Sequence, residues 1–333
     1  MGQAARAGAA PPPPPFSATG APVGLNPVPP TTSGTGAHVG VALGRSASRS
    51  VRDIERENGD TGPAVNPPLS PRHGQHDPGH TAIPGGGQPA APAAGVAPTV
   101  TSFEGTNNTD GVVPPDPNGA VGPNNYVELV NTHYEVFNKS GGVVAGPIET
   151  TQLFSRFQNS TSGAQLCYYN GGGDGIALYD RGANRWLISQ LAFTDGLFGP
   201  QGPYIECIAV SQTSDPAGAY YAYAFLMDPS SLPDYPKIGI FGNSYYLSAN
   251  MFASVSAQQG YPGTWAFDRS TMLAGGVPQY VSFTNLVSPN FNTILPGNQN
   301  GPTAPPPGEP ETYVGLDFTN NTTMGIFQFS QVD

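Results

Sequence analysis

Asp174-Gly-Ile-Ala-Leu-Tyr-Asp-Arg-Gly-Ala-Asn-Arg-Trp-Leu-Ile-Ser-Gln190 decides how the chain is read, because it carries two short apolar runs about a turn. Ile176 to Tyr179 and Trp186 to Leu191 are rich in β-branched and aromatic residues, and Asp180 to Asn184 supplies the Gly and Asx residues that a reversing backbone needs. The stretch therefore predicts a β-hairpin. Its second strand has counterparts: Tyr126 opens YVELVN, Trp186 opens WLISQL and Tyr246 opens YLSAN, each sixty residues after the last. An acidic residue runs ahead of each, at Asp116, Asp174 and Asp234. Self-similarity at a fixed interval signals repeated supersecondary units.

Outward from this repeat, composition divides the 333-residue chain in two. Residues 1–98 hold a Pro11–Pro15 run, Gly85-Gly-Gly87 and many Pro, Ala, Ser and Gly, too little apolar surface to offset chain entropy. They are expected to be a disordered tail, with Val51 to Asn58 (VRDIEREN) its one helix-like patch, read as a solvated turn. Residues 99–333 are expected to be one folded domain. Residues 1–100 hold six basic and five acidic residues, so the remainder carries six against eighteen. That acidic balance excludes nucleic acid and anionic membranes as partners, since both require clustered Lys and Arg. No apolar run reaches the roughly 18 residues of a membrane span.

The domain reads as all-β. Thr99 to Phe103 is a predicted strand, and the turn-rich Val113 to Asn125 leads into the strand at Tyr126. Val136-Phe-Asn-Lys139, Leu178-Tyr-Asp-Arg181 and Ala266-Phe-Asp-Arg269 share one order, an aromatic entering the core just before an Asx-stabilised hairpin turn. In Ala219 to Phe225, Tyr221, Tyr223 and Phe225 alternate with Ala222 and Ala224, as on a strand whose two faces pack differently. Four strands in about sixty residues make one antiparallel blade, so the expected architecture is β-propeller-like, with three units and a partial fourth at Tyr313 to Phe318 and Gly325 to Ser330. A β-sandwich is the competing arrangement. Three units and a part leave open strand edges, which leads to the expectation of further chain beyond Asp333.

The runs PPDPNGAVGPNNYVELVN, DGIALYDRGANRWLISQ, CIAVSQTSDPAGAYYAYAF and DYPKIGIFGNSYYLSAN resemble a family of largely uncharacterised secreted proteins of bacteria and fungi. The resemblance covers about residues 101–333. It implies a propeller-like fold and an extracellular or surface location, and no established activity. Asn-x-Ser/Thr triplets at Asn107, Asn138, Asn159, Asn320 and Asn321 fit that location. No leucine-rich signal segment follows Met1, so the expected start lies upstream.

Cys167 and Cys207 read as a disulfide in an exported protein, worth about 3–4 kcal/mol, or as two buried thiols otherwise. Asp116, Asp174 and Asp234 have two readings as well. They are candidates to bind Ca²⁺ on one rim, or to satisfy loop amides. Tyr168, Tyr169, Tyr204 and Tyr261 sit in Gly-rich surroundings and are candidate binding residues, because a ring supplies contact area at low entropy cost. HExxH, GxSxG, P-loop and CxxC signatures are absent from the sequence, and no catalytic residue is assigned. Glycoside hydrolysis needs a carboxyl pair, and Glu128, Glu135, Asp195, Glu206 and Asp228 could supply one, though no spacing selects it. His133 reads as a packed or surface imidazole.

These readings lead to a monomeric, extracellular binding module for a carbohydrate or protein ligand. A carbohydrate-active hydrolase or lyase and a structural wall component remain the alternatives. Convergent acids in an axial pocket would favour the enzyme, and an aromatic rim without them the binder.

Overall fold

The computed structural model describes residues 37–58 and 101–330, apart from 197–198, 254–256, 258–259, 285–290, 302, 307, 318 and 320–322. An N-terminal segment holds β1 (His38–Val41), β2 (Gly44–Ala47) and α1 (Val51–Asn58). The first sheet is the meander β3 (Asn118–Val121), β4 (Asn125–Val130), β5 (His133–Asn138) and β6 (Val143–Glu149). A 3-10 helix, Thr150–Phe157, and the short α2 (Leu166–Tyr169) lead into the second sheet. There β7 (Gly171–Gly173) and β8 (Ala177–Asp180) both pair with β9 (Arg185–Gly196), followed by β10 (Gly199–Ser211) and β11 (Tyr220–Asp228). The third sheet is β12 (Leu232–Phe241), β13 (Ser244–Phe252), β14 (Tyr261–Asp268) and, after α3 (Arg269–Leu273), β15 (Gln279–Phe283). The fourth has β16 (Ile294–Pro296), β17 (Glu311–Leu316) and β18 (Met324–Phe329). Every pairing is antiparallel.

Three apolar cores join the sheets in chain order. Val127, Leu129 and Val136 of the first sheet meet Trp186, Ile188 and Ile205 of the second. Leu187, Ile208 and Phe225 of the second meet Ile238, Leu247 and Trp265 of the third. Tyr246 and Val281 of the third meet Ile294, Tyr313 and Phe329 of the fourth. Middle sheets are thus buried on both faces, and β11 shows how. Tyr223 and Phe225 point to the third sheet, while Ala222 and Ala224 point to the first. The alternation of large and small residues sets a wide gap on one side and a narrow one on the other.

The N-terminal expectation is corrected. Of the supposed tail, residues 38–58 are built into the domain, whereas residues 1–36 and 59–98 lie outside the described residues. β1 adds a strand to β15, and β2 adds one to β11. Val51 and Ile54 of α1 have no exposed surface and belong to the first core. Composition failed here because four-residue strands that borrow their partners from distant sheets need no hydrophobic run of their own. The predicted strand at Thr99 to Phe103 is also corrected over its described part, since residues 101–103 have no strand structure. Instead Phe103 lays its ring on Tyr126 and Phe137, with centroids 6.2 and 5.4 Å away.

The aromatic–Asx motif recurs in sequence but not in place. Asn138 ends the third strand of its sheet and accepts amides of Ser140 and Gly142, a hairpin turn as expected. Asp180 ends β8, which pairs with β9 ahead of the long strands. Asp268 ends a third strand again, but it caps α3 through the Thr271 amide at 3.0 Å, so a helical turn stands where a hairpin turn was expected.

Candidate functional site

Just before β3 and β8, and within the first half of β12, the backbone shares one feature. Asp116, Asp174 and Tyr235 have φ of 41°, 51° and 55°, the left-handed region that side chains other than glycine rarely adopt. Each stands five residues before the strand position that pairs with an aromatic: Val121 with Tyr126, Tyr179 with Trp186 and Ile240 with Tyr245. The structural counterpart of Asp116 and Asp174 is therefore Tyr235. Asp234 lies one residue earlier, and Tyr245 takes the place that regular spacing gives to Tyr246. Trp186 and Tyr245 face back toward the preceding sheet, whereas Tyr246 faces forward into the third core.

A strand irregularity between Asp234 and Lys237 creates this offset and turns Tyr235 outward. Tyr235 is 44 % exposed, and the Lys237 ammonium lies over its ring, 3.4 Å from the centroid. That Nζ also donates to the Pro236 carbonyl at 3.0 Å. Burial lowers the Lys237 pKa. Against it act the charges of Asp174, Asp116, Asp234 and Glu206, in that order of strength. All three candidate aspartates thus act on one ammonium, that of Lys237. None of the three is free of other interactions. Among the described residues no group of three or more His, Cys, Asp or Glu side chains is placed to hold a metal ion.

Glu206 on β10, which also acts on Lys237, has no exposed surface, and neither of its carboxyl oxygens has a well-formed hydrogen bond. Burial pushes its pKa up to about 8. The Ser189 hydroxyl beside it and Lys237 pull downward, while Asp174 pushes further up. Burial thus favours the neutral form of this carboxyl, and the charge of Asp174 acts in the same direction. Neighbouring sheets are also stitched by side chains: Asn118 accepts the Ala177 amide at 2.8 Å, and Asn298 accepts the Ile240 amide at 3.1 Å.

The remaining candidates are scattered. Cys167 and Cys207 form a disulfide that ties α2 to β10. Tyr168 and Tyr169 stand edge to face, centroids 4.9 Å apart, with Tyr169 61 % exposed. Tyr204 is corrected as a binding residue. It is buried against Phe193 and its hydroxyl donates to the Pro200 carbonyl, because its strand turns it into the small core with Leu191. Tyr261 is half-buried against the second core. Glu128 and Glu135 face each other across β4 and β5, but Glu128 accepts the Thr106 amide at 2.7 Å and so fastens a loop. Asp228 accepts the amides of Ser230 and Ser231 in a turn, and the side chain of Asp195 lies outside the described residues. His133 sits beside Thr132 and Asp110 in a polar network.

Sequence reasoning missed Tyr235 and Lys237. No sequence signal marks them, since a residue before proline is ordinarily extended and a tyrosine there gives no hint of a left-handed turn.

No protein-family model matches the chain, and no curated protein is significantly similar to it. Among solved structures, the GH43 endo-arabinanase from Bacillus licheniformis aligns over 65 % of this chain and 92 % of its own, at 12 % identity and a TM-score of 0.21. A score that low supports neither a shared fold nor a shared activity.

Proposed function

We propose that this chain is an extracellular, propeller-like binding module that takes a carbohydrate at the starts of β3, β8 and β12. The supporting observation is Tyr235. A bulky side chain held in a left-handed backbone costs about 1–3 kcal/mol, and this one is turned to solvent beside acids that accept hydroxyl hydrogen bonds. An exposed ring with flanking carboxylates suits the C–H face and the hydroxyl groups of a sugar. The disulfide agrees with an oxidising compartment. No described helix is long and apolar enough to cross a membrane. The same reading treats the four consecutive sheets as blades about one axis, and places the chain with the secreted proteins its motifs resemble.

Affinity electrophoresis against a panel of soluble polysaccharides tests this. Retardation by at least one polymer, lost in Tyr235→Ala and Asp174→Asn with the fold retained, is the expected result. Uniform mobility across the panel, or retention indifferent to both substitutions, would count against it.

One observation favours hydrolysis as a second reading. Burial pushes the Glu206 carboxyl up to about 8 with the charge of Asp174 adding to it, and a raised carboxyl is the form a general acid needs. Against it, Glu206 has no exposed surface, and a general acid must reach the scissile oxygen. Release of reducing ends by the wild-type chain and its loss in Glu206→Gln would decide for hydrolysis.

A further inference from the structure

The N-terminal segment follows the outside of three sheets in reverse chain order. β1 lies on the third sheet and β2 on the second, and α1 packs into the core shared by the second and first. Its backbone is hydrogen-bonded to the domain at points all along the path. Ala42 donates to Pro278 at 3.1 Å, Leu43 to Ala224 at 2.8 Å, Ser48 to Tyr220 at 2.7 Å and Val51 to Gly218 at 3.1 Å. Arg52 grips Asp215 with two hydrogen bonds, and Arg45 donates to the Gly275 carbonyl.

The docking is also selective. A methyl group on Gly40 would stand 2.4 Å from the Tyr280 ring, and one on Gly44 would stand 2.9 Å from the Ala164 methyl, so both positions require glycine. Ala42 reaches the second core and Leu43 the first, and Val51 and Ile54 are wholly buried. An extended stretch with two obligatory glycines, then a one-sided apolar helix, is the pattern of a peptide ligand added to sheet edges.

We propose that the edges of β11 and β15, with the cleft that takes Val51 and Ile54, form a peptide-docking surface whose occupant is residues 38–58, held there independently of the covalent link through residues 59–100. Cutting that link leaves a stable two-piece protein. The sequence 38–58 then behaves as a ligand, with each buried aliphatic contributing roughly tenfold or more to its binding constant.

A site-specific protease sequence inserted after Gly87 in the full chain allows the link to be cut without touching either piece. At about 1 µM, where a weak peptide would dissociate, the two pieces should co-elute in size-exclusion chromatography. Refolding the cut protein from denaturant with excess fluorescent 38–58 peptide should place the label on the large piece. Peptides bearing Gly40→Val or Ile54→Ala should compete roughly 30-fold less well or worse. Separation of the pieces after cutting would overturn the proposal. So would failure of the wild-type peptide to incorporate, or equal competition by the two altered peptides.

Discussion

Arg269 holds Asp180 with two hydrogen bonds, Nε to Oδ2 at 2.6 Å and the guanidinium Nη2 to Oδ1 at 2.8 Å. The Tyr245 hydroxyl donates to the same carboxylate at 2.9 Å. This ties the turn between β8 and β9 to the start of α3, so a charge pair fastens the second sheet to the third. Burial raises the Asp180 pKa, but the Arg269 hydrogen bond and charge outweigh it and hold the carboxyl below its usual value.

Removing one partner strands a buried charge. Asp180→Ala should cost about 3–5 kcal/mol in urea unfolding. Arg52→Ala breaks a pair whose side chains are 44 % and 43 % exposed, and should cost under about 1 kcal/mol beyond lost packing. Because Asp180 has a depressed pKa, its contribution is present above the ordinary carboxyl value and is lost as pH falls through the folded one. Equal costs for the two variants would refute this ranking.

Glu206 and Glu311 have the opposite sign. Burial raises them from 4.5 to about 8 and about 7. Between 4.5 and those values the folded chain keeps protons that the unfolded chain has released, so stability falls as pH rises. The slope should be on the order of 1 kcal/mol per pH unit for each carboxyl. Unfolding midpoints from pH 5 to 8 should decline in the wild type and flatten in part in Glu206→Gln, and a rising profile would contradict the assignment.

The Cys167–Cys207 disulfide closes a separation of 40 residues. Its reduction should cost about 4 kcal/mol by the chain-entropy account. Guanidinium midpoints with and without reductant measure this, and an unchanged midpoint would mean the surrounding core alone holds α2 on β10.

Tyr235→Gly separates stability from binding. Glycine accepts the left-handed backbone, so the variant should unfold at the same midpoint or gain up to about 1 kcal/mol, while polysaccharide retention disappears. A destabilised variant would show that the ring supports the fold and not a ligand.

The sequence by itself determined the units. β-branched and aromatic runs bounded by Gly, Asx and Pro placed β4, β9, β10, β11 and β13, because strand, turn and face alternation are local properties of a few neighbouring residues. It also placed the cysteine pair, and Asp116 and Asp174 ahead of β3 and β8. Tertiary structure decided what those features do. Only packing shows that a shift of one residue at the Asp234–Lys237 irregularity puts Tyr235 where two other sheets carry aspartate, or that Glu206 is sealed between sheets, where burial raises its pKa. Only strand pairing shows that His38 to Asn58, mostly polar and without a long apolar run, belongs to the domain. Its partners lie more than 160 residues away on β11 and β15, and no local pattern encodes an edge supplied by a distant sheet.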